Sequence, residues 1–479
     1  MIDCNYENIK EPRDKTIETV DRAKGPLVFL ARDFVDFVSR YKSCFITTTR
    51  SVATQAKQYL CGLMGAEKRN MERMAEVVPD SDDQALQNFL TNSPWSERAV
   101  MDKVAQDTDA LFGDDADTCL IVDETGIVKK GTNSVGVARQ WCGRAGKIEN
   151  CQVGVLAALS CREQVTLIDG HLYLPESWVN DPERCKKAGI PEEHIVFKKK
   201  TEQALEIVKH AHCNNIRFKW VGADGGYGKE PAFLRSLDSA DEVFVVDVHR
   251  DQQIYLKDPK PVVPEPKTNR GRKPTRLVAQ NNSQRVDRWA AEQPESAWQR
   301  VTIRKSTQGD LKADILHRRV WLWDGEEKDA HCWHLIVRRE ISAREEIKYT
   351  LSNAPCETST ERLAFMQGQR YWVERSIQDG KSECGLAEYQ ARKWNSWHHH
   401  IALVMMAMLF MLETRLLNRA DYPLLSCADI QSLLSHFLPR RDVTVEEVMR
   451  QMEERHTRRQ ASIDSAYRKQ ARHISSRGG

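Results

Sequence analysis

Acidic side chains at the ends of apolar runs are the residues best placed to do chemistry in this 479-residue chain. Three short apolar segments each lead into an aspartate: CLIVDETG into Asp123, WVGADGGYG into Asp224 and VFVVDVHR into Asp247. A carboxylate leaving an apolar strand is costly to desolvate unless it is paired or holds a cation. One such residue is commonly a strand-end cap, whereas two on neighbouring strands point to a shared ion. Gly222, Gly225, Gly226 and Gly228 surround Asp224 and leave room for close backbone approach. Glu124 ranks below Asp123, because successive strand residues face opposite sides.

Further on, YWVERSIQDGKSECG carries Glu374, Asp379 and Glu383 on one helical segment. With Glu374 as origin and about 100° per residue, Arg370 falls near −40°, Gln367 near +20° and Lys381 near −20°. Asp379 falls at about 140° and Glu383 at about 180°, so only Glu374 shares a face with basic side chains. Two aspartates and a glutamate are hard oxygen ligands suited to two Mg²⁺ ions. Such a set supports in-line phosphodiester displacement, with Arg370 and Lys381 alongside to hold backbone phosphates. For Glu374 taken alone, the plain alternative is an exposed helix with an Arg370–Glu374 ion pair worth a few tenths of a kcal/mol.

These residues need elements to carry them. Residues 1–112 read as helical: VATQAKQYLCGLMGAEKRNMERMAEVV has helical spacing, PDSDD breaks it and DQALQNFLTNS resumes it. In TNSPWSERAV, Ser93 reads as an N-cap with Pro94 at the first helical position. From 113 to 250 the texture changes to strands at DTCLIVDETG, CQVGVLAALS and EQVTLIDGHLYL. A helix at TEQALEIVKHAHC, a strand at IRFKWVGADGGYG, a short helix near PAFLRSLD and a strand at EVFVVDVHR follow. Three strands, helix, strand, helix, strand is the ribonuclease H-like arrangement, an α/β fold with a mixed sheet flanked by helices. In it the first strand lies centrally beside the fourth, which would set Asp123 next to Asp224 and leave Asp247 one strand further out.

Residues 251–350 interrupt this core with the Pro-rich, basic segment DPKPVVPEPKTNRGRKPTR. The strand candidates AWQRVTIR, RRVWLWDG and CWHLIVRRE then read as a β-rich insertion. Helical pattern returns at TSTERLAF, so 351–420 completes the core. Residues 421–479 form a basic helical tail expected to fray. The apolar run IALVMMAMLFML is too short to span a bilayer and reads as a buried helix.

Composition sets outer bounds. The chain is 41% hydrophobic and 29% charged with a formal charge of +2, so nucleic-acid binding would rest on local patches. Thirteen scattered cysteines without a Cys-x-x-Cys pair fit reduced thiols of a cytoplasmic protein and not a zinc ribbon. The polar start, MIDCNYENIKEPRDK, carries no signal-peptide pattern. NRGRKPTR could lie along a minor groove or serve as a solvated linker. Lys198, Lys199 and Lys200 read as a solvated face, and His398, His399 and His400 point in different directions at a helix start. ADGGYG lacks the Lys-Ser/Thr that a phosphate loop needs.

The segments CLIVDETG, VGADGGYG and RYWVERSIQDGKSECGLAEYQARKWNSWHHHIALVMMAML together resemble bacterial insertion-sequence transposases of the DDE superfamily. TNSPWSERAV and AGIPEEHIVFKKKTEQALEIVKHA add to the match, which spans roughly residues 85 to 415. The group in question has a Tyr–Arg–Glu–Lys signature on its catalytic helix. The resemblance implies Asp123, Asp224 and Glu374 as a catalytic, metal-binding triad using Mg²⁺, for which Mn²⁺ can substitute. Arg370 and Lys381 match the signature's Arg and Lys, with three residues between Arg370 and Glu374 and six between Glu374 and Lys381. The signature Tyr would fall at Gln367; Tyr371, one turn later, is the candidate replacement for its DNA contact. Trp333 sits where relatives stack a Trp on a flipped base, with Trp321 and Trp323 as rivals and a β-core role as the alternative.

The resemblance further implies a helical DNA-binding domain over 1–112, binding to terminal inverted repeats and target DNA, and a homodimer in a synaptic complex. It implies a bacterial cytoplasmic enzyme, nucleoid-associated on DNA and without a membrane role. Two alternatives remain at this point: a ribonuclease H-like nuclease that cuts without joining strands, and a catalytically silent DNA-binding descendant. A two-carboxylate glycosidase would leave Arg370 and Lys381 unexplained.

Overall fold

The computed structural model describes residues 26–265, 273–306 and 309–475; MIDCNYENIKEPRDK and residues 269–272 of NRGRKPTR lie outside them. Five helices come first: α1 (Leu30–Ser39), α2 (Ala53–Gly65), α3 (Met71–Val77), α4 (Asp83–Thr91) and α5 (Glu97–Phe112). Local chemistry starts three of them, since the side chains of Asn70, Asp82 and Ser96 each accept a hydrogen bond from the N–H three residues on. Ser96, not Ser93, therefore caps α5. Pro94 holds the residue before it extended, and Trp95 is buried, stacked on Phe89 and His399. The helix can begin only after that anchor.

Strands β1 (Thr118–Val128), β2 (Ala138–Cys142), β3 (Lys147–Cys161) and β4 (Gln164–Leu172) follow. Then come helix α6 (Lys200–Cys213), strand β5 (Val221–Ala223), helix α7 (Pro231–Ser239) and strand β6 (Phe244–Val248). A small ribbon pairs β7 (Gln253–Ile254) with β8 (Gln284–Arg285). Four longer strands succeed it: β9 (Gln299–Ser306), β10 (Gly309–Leu322), β11 (His331–Glu340) and β12 (Ile347–Ser352). The chain ends in helices α8 (Thr360–Gln369), α9 (Tyr371–Ser382), α10 (Trp394–Leu417), α11 (Cys427–Phe437) and α12 (Val445–Ser475).

One large mixed sheet organises these elements, in the order β2-β3-β1-β5-β6-β12-β11-β10-β9, with β4 also paired to β3. β1 runs antiparallel to β3 along its whole length and parallel to β5. β5 and β6 are parallel, and β12 closes antiparallel onto β6. Strands β9 to β12 thus extend the main sheet instead of forming a separate one. The short β12, IKYTLS, alternates apolar and polar residues but has no counterpart among the strands anticipated from sequence.

Helices cover both faces, which is why β1 reads as a nearly continuous apolar run. Cys119 and Ile121 of β1 face a core shared with α1–α5, α9, α10 and α11; Leu120 and Val122 face the core under α6 and α7. The N-terminal helices accordingly pack into the body of the molecule. α10 is apolar on all sides because it is enclosed on all sides: it is long and apolar enough to cross a membrane, but 78% of its most apolar window is buried inside the fold. α12 continues as helix to Ser475 instead of fraying early, and Arg458 ties it to Asp83 of α4 at 2.8 Å.

Candidate active site

Register brings the first two aspartates together. Val122 pairs with Ala223 across β1 and β5, so Asp123 and Asp224 are the next residues along two adjacent parallel strands. β5 ends at Ala223, and Asp224 caps the short helix Gly225–Gly228 by accepting from the Gly226 N–H at 2.9 Å. β1 does not end at Asp123 but runs on to Val128 against β3. Asp123 lies on the α9 side of the sheet. Glu124 lies on the other side, bonded to Lys200 at the start of α6 at 2.6 Å.

The two carboxylates oppose each other electrostatically. Burial first, and then the charge of Asp224, push the Asp123 carboxyl up to about 7; Arg370 and the Glu124 N–H pull the other way, and Glu374 adds a further upward push. Desolvation is the larger part of this cost and the neighbouring Asp224 carboxylate the second.

Helix α9 carries Glu374, the candidate third acid. Arg370, with helical backbone angles, joins α8 to α9, so the face expected from angular spacing persists across the junction. Arg370 bonds Glu374 at 2.6 Å, the anticipated i,i+4 pair, and also reaches Asp247 on β6 at 3.0 Å. Glu374 is half exposed, with 51% of its side chain accessible. The other two acids of the segment are engaged elsewhere: Asp379 pairs with Arg375 at 3.0 Å, and Glu383 is the C-cap of α9, its carbonyl held by Arg69 at 3.1 Å. Lys381 lies in the last turn of α9.

Asp247 is occupied on both oxygens, by Arg370 at Oδ2 and by the Thr350 hydroxyl at Oδ1 (2.5 Å). Gln367, where the signature Tyr would fall, is buried and donates to Thr350 Oγ1 at 2.6 Å. Tyr371 is exposed, with the Arg304 guanidinium 3.9 Å above its ring and Trp372 at its edge. Sequence reasoning missed Thr350 and Arg304; Thr350 belongs to the unanticipated β12, whose period-two pattern was the available signal.

Trp333 is a core residue here, 5% exposed and packed edge-on against Phe244 with His331 beside it. Both of those neighbours would have to move for a base to reach its ring. Trp321 exchanges backbone bonds with Tyr255, and Trp323 donates to the Glu327 carbonyl. The Lys198–Lys200 run is neutralised by Glu206, Glu230 and Glu124. His399 and His400 are buried and bonded to backbone carbonyls and to Tyr59, and His398 to the Trp394 carbonyl.

Among the described residues, no three carboxylate, imidazole or thiol side chains stand close enough to hold an ion together. The donor set nevertheless fits a divalent cation. Asp123 and Asp224 are adjacent hard oxygen donors, and the Glu374 carboxylate on α9 is half exposed.

Residues 40–310 match the model of the DDE superfamily endonucleases, a span that includes Asp123 and Asp224 and stops short of Glu374. The chain belongs to the DDE superfamily endonuclease family and, within it, is an enzyme of the DDE transposase type. Such endonuclease domains are generally dependent on divalent metal, and their partner is DNA. A curated relative, "Probable transposase for insertion sequence element IS701" from Microchaete diplosiphon, is 22% identical over 361 residues, covering 74% of this chain and 81% of the relative. A solved structure titled "Cryo-EM structure of piggyBac transposase synaptic complex with hairpin DNA (SNHP)" aligns with 91% of this chain and 82% of its own. Its identity is 10% and its TM-score 0.36, too low to bear on the fold.

Proposed function

We propose that this chain is a Mg²⁺-dependent transposase that binds the terminal inverted repeats of its element, cuts DNA at the ends and joins the 3′-hydroxyls to target DNA. The observation that carries this reading is the Asp123–Asp224 pair on adjacent parallel strands, with Asp123 pushed up by burial and by Asp224, beneath the helix that bears Glu374. The order β4-β3-β1-β5-β6 supports a ribonuclease H-like core over 113–250 and 351–420, with 251–350 as a β-rich insertion that lengthens the same sheet.

In this reading Asp123, Asp224 and Glu374 hold Mg²⁺, which supplies an activated attacking oxygen and charge neutralisation at the leaving oxygen. Asp224 is fixed by its bond from Gly226, so one ligand is set by backbone geometry. Arg370 and Lys381 line the Glu374 face and hold the phosphates flanking the cut. Arg304, Tyr371 and Trp372 form a cationic–aromatic patch next to it, exposed at Tyr371, that suits a nucleotide. The N-terminal helices and basic tail contribute repeat binding, and two chains hold two ends in a homodimeric synapse.

Strand transfer with a pre-cut repeat end tests this. Wild type with Mg²⁺ should join the end to target DNA, and Asp224→Ala should not. A wild-type protein that cuts DNA but never joins it would replace this reading with a plain nuclease, and one that binds repeats without cutting would make it a silent descendant.

A further inference from the structure

Asp247 was set aside as a ligand, yet it is the most closely held acid in the neighbourhood. Its contacts form a directed chain. The Gln367 amide donates to the Thr350 hydroxyl at 2.6 Å, and that hydroxyl donates to Asp247 Oδ1 at 2.5 Å. Asp247 Oδ2 is ion-paired with Arg370, 3.0 Å from Nε, and Arg370 Nη1 lies 2.6 Å from Glu374 Oε1. Gln367 and Thr350 are buried, at 6% and 0% exposure, so this end of the chain is rigid. Glu374, at the other end, is half exposed and ion-paired to Arg370.

We infer that Asp247 is a positioning residue that acts through Arg370 on Glu374, with Thr350 and Gln367 fixing Asp247 in turn. Two features support the direction of action. Asp247 has a hydroxyl donor on one oxygen and the Arg370 guanidinium against the other, so it is suited to hold and not to bind an ion. Arg370 uses two different nitrogens for its two carboxylates, so losing the Asp247 contact frees the guanidinium to rotate about its own stem and carry Glu374 with it. Gln367 thereby has a task at the place where the resembling group has a Tyr: it closes the buried end of the chain by hydrogen bonding. The inference rests on the reading of Glu374 as a ligand.

The test measures Mn²⁺ binding to the full chain by electron paramagnetic resonance of the free ion, with thermal midpoints recorded in parallel. Asp247→Asn and Thr350→Val are each expected to weaken Mn²⁺ binding by about tenfold, with thermal midpoints near wild type. Thr350→Ser, which keeps the hydroxyl, is expected to bind as wild type does. In a Glu374→Gln background, Asp247→Asn should cause no further loss, because both changes remove the same contribution. Wild-type Mn²⁺ affinity in Asp247→Asn, or a full additional loss in the Glu374→Gln background, overturns the inference. If Glu374→Gln itself binds Mn²⁺ as wild type does, the ligand reading fails and the positioning role falls with it. If Glu374→Gln loses affinity while Asp247→Asn and Thr350→Val do not, only the positioning role fails.

Discussion

Asp123 sits in an environment far from what a carboxylate in water experiences, and that departure has a pH signature. Its folded-state value of about 7 lies above the unfolded 3.8. Between those values the folded chain binds more protons than the unfolded one, so stability falls as pH rises through this window and levels off above it. The cost is at most about 4 kcal/mol, reduced by whatever solvent reaches the carboxylate. Asp123→Asn should therefore raise the thermal midpoint above pH 7 and leave it nearly unchanged at pH 4; added Mg²⁺ should stabilise wild type and not the variant. An unchanged midpoint at pH 8 would mean that Asp224 and burial do not act on Asp123 as described. Part of the residue-level geometry was legible beforehand: the Arg370–Glu374 pair followed from angles along a helix, and the placing of Glu124 on the opposite face from Asp123 from strand alternation. The partners of Asp247 were not legible, because Thr350 meets it across 103 positions of sequence. Ser93 was misread as a cap because Trp95, which anchors the connector, is buried by residues far along the chain.

Among the elements, α9 depends on a contact that no local pattern announces. Arg69, just before α3, is buried and donates to the carbonyls of Leu63, Ser382 and Glu383 and to the Glu388 carboxylate. Two of those carbonyls belong to the last residues of α9, where helix geometry leaves acceptors without partners. Gly385 follows with φ of 67°, and a Cβ there would come within 2.6 Å of Arg69 Cδ. The N-terminal helices thus brace the helix that carries Glu374. Arg69→Met should lower stability by roughly 2 kcal/mol or more, read as a drop in thermal midpoint, since it strands buried acceptors. Gly385→Ala should lower it too, through backbone strain and the clash. A midpoint unchanged in both variants would show that the brace is dispensable. The strand order that sets β1 beside β5 was foreseeable from the succession of strands and helices; the pairing of β12 with β6 was not, since it closes a sheet across more than a hundred residues.

For the whole molecule, the shared core matters more than any domain boundary drawn along the chain. Helices α1–α5 bury Phe34, Tyr59, Leu60 and Phe89 in the same cluster as Met405, Leu409 and Leu434. A fragment beginning near residue 113 would expose that cluster, so it should be insoluble, and limited proteolysis should yield no persisting fragment of that kind. A soluble, folded 113–479 fragment would contradict the shared core. The central claim, that Asp123, Asp224 and Glu374 act together on DNA, is tested most directly by Mg²⁺-dependent cleavage at the ends of the element with Glu374→Ala and Glu383→Ala compared at matched thermal stability. The account predicts cleavage at background for Glu374→Ala and near wild type for Glu383→Ala; full cleavage by Glu374→Ala, or its loss in a folded Glu383→Ala, would contradict it.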